Sequence, residues 1–131
     1  MKQRLPLVIT SLLSILLVTL HLTGDALYAR AGTPEASGVT FAAVPILALW
    51  LYGTLVLAEK RSGHIFMLVG SLVALLMPVT HLMAPGGIFR GQPANSNGIF
   101  LFVWTLHALG VTGMLSLMLA VRGLFGMRHH Q

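Results

Sequence analysis

The chain contains no cysteine. That excludes disulfides, thiolate metal centres, iron–sulfur clusters and haem attached through a Cys-x-x-Cys-His motif. Acidic residues are nearly absent: Asp25, Glu35 and Glu59 are the only three. No two of them share a helical stretch that could host paired general acid–base chemistry. A Gly-x-Ser-x-Gly nucleophile elbow and a Walker-type phosphate loop are also missing. Charged residues amount to 8%, against about 25% in an ordinary soluble domain. Eleven charges cannot cover the surface of a soluble core built from 131 residues that are 56% hydrophobic. The same apolar content excludes a disordered chain. Lipid is the solvent that fits this composition.

What is present is long apolar runs. Four are of spanning length: about residues 5–28, 39–58, 64–84 and 98–121. Each is near the ~20 residues that cross a hydrocarbon core of about 30 Å. None shows the strict alternation of a barrel strand. The fold class expected is therefore all-α, a transmembrane antiparallel four-helix bundle forming one domain over residues 1–131. Four crossings put both ends on one side. Lys2, Arg4, Lys60, Arg61, Arg122 and Arg128 then share that side, and Arg30 and Arg90 lie on the other. This bias predicts a bacterial-type inner membrane protein with both termini cytoplasmic. The net charge of +5 is spread between spans and at the ends, which speaks for lipid headgroups as partners and against nucleic acid. Lys2, Arg4 and the segment Ala29-Arg30-Ala31 have a signal-peptide flavour, but the intervening apolar stretch is longer than the usual 7–15 residues. The terminal pair His129-His130 reads as a polar tail.

Helical spacing suggests which faces pack. Span one carries Ser11, Ser14, Val18, His21 and Asp25. Span two offers Ile46, Trp50, Gly53 and Leu57, and span three Gly70, Ala74, Met77, His81 and Ala84. On span four, Ala108, Thr112, Ser116 and Ala120 recur every four residues. This small-residue ridge suits a neighbouring helix, in the bundle or in another subunit. Pro45 lies in the second turn of span two or marks its start. Pro78 lies well inside span three, where it frees the carbonyl of Ala74 and bends the helix toward His81. Glu35 is read as outer-loop, Glu59 as the ion-pair partner of Lys60, and His64 as reaching the inner interface.

Ionisable residues inside spans are costly and need an explanation. His21, His81 and His107 fall on three different helices. At 1.5 Å per residue they lie about 10, 5 and 13 Å below the outer boundary. Asp25 follows His21 by one turn on the same face. Converging, the three imidazoles would form a cofactor site, and with Asp25 a metal site. Zinc, copper and non-haem iron suit such donors, two imidazoles from different helices suit a haem b, and a histidine–carboxylate pair suits a quinone headgroup or a proton relay. The plain alternative is that each imidazole bonds a hydroxyl or a backbone carbonyl within the bundle.

The segment from Trp50 to His64, WLYGTLVLAEKRSGH, resembles the second-to-third-span hairpin of small, uncharacterised four-span bacterial membrane proteins, and FVWTLH at Phe102–His107 is similar to their last span. The resemblance covers about half the chain and implies a fold and no particular activity or cofactor. Three functions stay open: a non-catalytic accessory or interaction subunit, self-associating or joined to other membrane subunits through Ala108, Thr112, Ser116 and Ala120; a haem-, metal- or quinone-binding redox protein using the outer-half histidines; and an oligomeric small transporter or channel.

Overall fold

The computed structural model describes residues 4–28, 34–83 and 96–128, with side chains for 4–24, 42–83 and 99–127. Lys2, Arg30, Ala84, Arg90, the connections at 29–33 and 84–95, and His129-His130 lie outside the described residues, as do the side chains of Asp25, Glu35 and Arg128. Four helices are present: α1 (Arg4–Tyr28), α2 (Pro34–Leu55), α3 (Arg61–Met83) and α4 (Ser96–Arg128). There is no strand among the described residues. The most extensive interfaces are α3 with α4 and α1 with α4. Those of α2 with α1 and with α3 are smaller, and the α1–α3 diagonal is smaller still. The helices therefore stand in the cyclic order α1, α2, α3, α4, each antiparallel to its neighbours in the chain. Arg4, the α2–α3 turn and Arg122 consequently sit at one end of the bundle.

Three stretches are long and apolar enough to cross a membrane: Arg4–Gly24, Arg61–Met83 and Ile99–Met127. The described part of α2 adds a shorter apolar stretch, Ala42–Leu55. The complete helix of 22 residues is about 33 Å long. Large apolar side chains point outward on every helix, among them Leu13, Leu49, Leu72 and Val111. Inside lie Ser11, Ser14, His21, Thr54, His64, Ser71, Thr105 and Ser116. Small polar residues inward and bulky apolar residues outward suit a protein dissolved in lipid, where polar contact and close backbone approach hold helices together. Outside these contacts, hydroxyls turn back on their own helix. Thr10, Ser14, Thr19, Thr23, Thr80 and Thr112 each donate to a carbonyl three or four residues earlier, so these hydroxyls present no bare donor to lipid.

The span limits differ from the expected ones at both ends of α2, at the start of α3, which begins at Arg61, and at the end of α4. Helix α2 begins at Pro34, a residue whose missing N–H costs nothing in a first turn, so Glu35 lies in the helix and Pro45 is internal. It stops at Leu55 because the chain turns there: Val56 N–H donates to Tyr52 O at 2.9 Å and Lys60 N–H to Leu57 O at 2.8 Å. Gly63 lies against the Leu57 carbonyl, where a Cβ does not fit. Helix α4 continues past Arg122-Gly123 to Arg128. Its 33 residues are about 50 Å long, well beyond the ~30 Å hydrocarbon core. Glu59 pairs with Arg4, at 2.9 Å, instead of Lys60. The pair clips the start of α1 to the α2–α3 turn.

Two apolar clusters fill the interior. Leu7, Met67 and Ala120 pack at the Arg4 end. Val18, Leu22, Trp50, Ala74 and Leu109 pack in the other half.

Candidate functional site

Three aromatic rings meet near the far end of the bundle. His21, on the inward face of α1 that also buries Ser11, Ser14 and Val18, is 2% exposed. Its ring centre lies 5.1 Å from that of His81 on α3, with the planes at 81°. Phe102 of α4 closes the triangle, 5.0 Å from His21 and 5.3 Å from His81. His81 is half-buried, and its Nδ1 lies 2.9 Å from the carbonyl of Met77. A carbonyl can only accept, so Nδ1 carries the proton and the neutral ring keeps its lone pair on Nε2. A backbone-oriented imidazole with a bare Nε2 is the usual arrangement of a ligand or proton acceptor. Met77 O, the carbonyl just before Pro78, also accepts the Thr80 hydroxyl, at 2.8 Å.

His107 does not join this pair. It is exposed on the outer face of α4, and its Nδ1 donates to Val103 O at 2.8 Å. The ring borders a crevice between α3 and α4 with Pro78, Leu82, Leu106, Gly110 and Val111. Among the described residues no three His, Asp or Glu side chains are grouped to hold a metal ion. The convergence expected of three imidazoles is thus made by two. Spacing alone put His107 at the right depth, but depth does not set the direction of a side chain. The side chain of Asp25, one turn beyond His21, lies outside the described residues.

His64 also departs from expectation. It is 6% exposed, turned into the bundle instead of out to the interface. Its Nδ1 lies 3.2 Å from Lys60 O, and its ring rests on α4 at Gly123. A Cβ there would stand 2.6 Å from His64 Nε2. Gly123, just past the expected end of span four, is a flat landing for an imidazole. The α4 ridge is divided: Ser116 and Ala120 are fully buried within the bundle, and Ala108 and Thr112 are half-buried.

The most developed polar structure was not foreseen. Trp50 Nε1–H donates to Ser11 Oγ at 2.9 Å, and Thr54 Oγ1 donates to Trp50 O at 2.9 Å. Thr54 has then spent its one proton, so Ser11 is the donor in the 2.8 Å Ser11–Thr54 bond. The circuit runs from indole to serine to threonine to carbonyl, with every member buried. Nearby, Ser71 Oγ shares its proton between Met67 O at 2.6 Å and Ser116 Oγ at 2.8 Å. The indole lies flat on Gly70, where a Cβ would overlap Cε2, Cδ2 and Nε1. A midspan glycine opposite a tryptophan was the available signal. These groups are consumed in holding helices together. They have no free proton or lone pair aimed at an open space, whereas the His81 imidazole offers its bare Nε2 beside His21.

Comparisons with protein-family profiles, with curated proteins and with solved structures found no match to this chain.

Proposed function

We propose that this chain is a multi-pass protein of a bacterial-type inner membrane, with four crossings and cytoplasmic termini, acting as a non-catalytic accessory or interaction subunit. The observation that supports this reading most is the use made of its buried hydroxyls. Ser11 bonds Thr54 between α1 and α2, and Ser71 bonds Ser116 between α3 and α4, so the polar interior works as a fastener. Lys60, Arg61 and Arg122 stand exposed at the same end as Arg4, which agrees with a cytoplasmic face. The likeness of Trp50–His64 and Phe102–His107 to small four-span bacterial proteins agrees as well. A partner subunit or a second copy would meet outward faces, including the half-buried Ala108 and Thr112. Ser116 and Ala120 are already engaged.

The absence of native cysteine makes the test direct. Single cysteines at exposed Leu49, Leu72 and Val111 are cross-linked in native membranes. A discrete larger species from at least one face is expected. Monomer from every face, with a monomeric mass after gentle extraction, would refute the accessory role.

The ring pair favours a second reading, a metal-binding redox protein. With metal–nitrogen bonds near 2 Å, two imidazoles on one tetrahedral ion have ring centres about 5 Å apart. The observed 5.1 Å fits that better than it fits a haem plane between the rings. Stoichiometric metal in purified protein, lost in His81→Leu, supports this reading; its absence in folded protein rejects it. A transporter would have to conduct past Trp50 on Gly70 or along an oligomer axis, and a proteoliposome flux assay addresses it.

A further inference from the structure

His107 poses a problem that neither reading above solves. It lies about 12 Å along α4 from Ile99, where the apolar stretch of that helix begins. Intramembrane histidines normally face the bundle interior or a polar partner. This one faces outward, among exposed Trp104, Val111 and Met114. Its Nδ1–H is spent on Val103 O, so the neutral ring presents the Nε2 lone pair as an acceptor. Acyl chains have nothing to donate to it.

Beside the ring the bundle surface is indented. The crevice holds about 200 Å³ and is lined by Pro78, Leu82, Leu106, His107, Gly110 and Val111. Two backbone features make it. Gly110 has no side chain to fill it, and the Pro78 ring passes 3.7 Å from where a Gly110 Cβ would be. Leu106, 1% exposed, is its floor, and exposed Leu82 and Val111 border its mouth. A cavity of about 150 Å³ takes a benzene ring, so the size suits one substituted six-membered ring.

We propose that this crevice binds a lipid-soluble phenol or quinol, with the ring seated over Leu106 beside Pro78 and Gly110 and the hydroxyl donating to His107 Nε2. The chemistry selects the class. The occupant must bring a donor, because the protein supplies only an acceptor. It must be apolar enough to carry that donor to this depth, where the hydroxyl and phosphate groups of ordinary phospholipids do not reach. An oxidised quinone, which has only acceptors, fits poorly. The site is separate from the His21–His81 pair and stands or falls independently of the accessory and metal-binding readings.

The test uses full-length protein with ¹⁵N-labelled histidine in phosphatidylcholine nanodiscs, titrated with 4-butylphenol and, as a control without a donor, 4-butylanisole. A saturable change in the His107 Nε2 resonance with the phenol and none with the anisole is expected. His107→Leu should weaken phenol binding, followed by a brominated phenol quenching tryptophan emission, roughly three- to tenfold, the range of one neutral hydrogen bond. Gly110→Leu keeps the imidazole and fills the crevice, and should abolish the saturable shift. Equal responses to phenol and anisole, or a response at His21 or His81 instead, would overturn the proposal. So would a ligand-free His107 Nε2 already hydrogen-bonded in a cross-linkable oligomer, since a neighbouring helix would then be the occupant.

Discussion

Replacing Gly70 by alanine adds one methyl group where the structure has none to spare. That methyl falls on Cε2, Cδ2 and Nε1 of the Trp50 indole. The indole cannot yield cheaply: it is 2% exposed and its N–H is held by Ser11 at 2.9 Å. Either α2 and α3 separate or the ring turns and the Ser11 bond breaks. Overpacking of a buried contact costs about 1–3 kcal/mol. A polar contact between membrane helices adds about 0.6 kcal/mol on average and up to about 1.7. Less the helix-propensity gain of up to about 1 kcal/mol, Gly70→Ala should lose about 1–4 kcal/mol. Gly24 is the internal control, because a Cβ there meets nothing within 4 Å. Gly24→Ala should be neutral or gain up to about 1 kcal/mol from helix propensity. Both are read by reversible unfolding in mixed micelles. Tryptophan emission, in a Trp104→Phe background so that only Trp50 reports, follows the indole itself. The expected signature is a large loss and a red-shifted Trp50 for Gly70→Ala alone. Equal stabilities, or an unshifted Trp50 in Gly70→Ala, would refute the packing argument.

Other consequences are simpler to state. Ser71→Ala and Ser116→Ala, combined in a double-mutant cycle, should show a coupling of about 0.6 kcal/mol, and a coupling of zero would break the 2.8 Å bond between them. Gly123→Val should force His64 off α4 and destabilise the charged end by about 1–3 kcal/mol, seen as faster amide exchange around Lys60. Glu59→Gln removes the Arg4 pair, whose partners are 47% and 81% exposed. It should cost less than about 1 kcal/mol and lose its effect at high salt, as read from unfolding at two ionic strengths.

The inward face of α1 was legible because Ser11, Ser14, Val18 and His21 mark it with small and polar residues at helical spacing, and all four are buried. Span two gave less. Ile46 is exposed, and only Trp50, Gly53 and Thr54 of its described residues are buried, since α2 has the smaller interfaces. On α4, small residues lie on more than one side. The buried series Phe102, Leu106, Leu109, Gly113, Ser116 and Ala120 shares only its last two members with the ridge at Ala108, Thr112, Ser116 and Ala120. The period was visible, but its phase was not. That ambiguity misdirected His107. A glycine next to an arginine reads as a helix end on local grounds, and only the tertiary contact with His64 explains why α4 runs through Gly123. The His21–His81 meeting was within reach of sequence, since both side chains lie on inward-marked faces at similar depth.

The bundle turns apolar side chains to lipid and small polar ones to its axis. Spin labels at Leu13→Cys, Leu72→Cys and Val111→Cys, compared with Ser14→Cys and Ala74→Cys in bilayers, measure this through collision rates with oxygen and with a water-soluble nickel chelate. The first three should collide freely with oxygen and scarcely with nickel, and the last two should be shielded from both. Nickel contact at Leu13, Leu72 and Val111 would mean that water, not lipid, surrounds the helices.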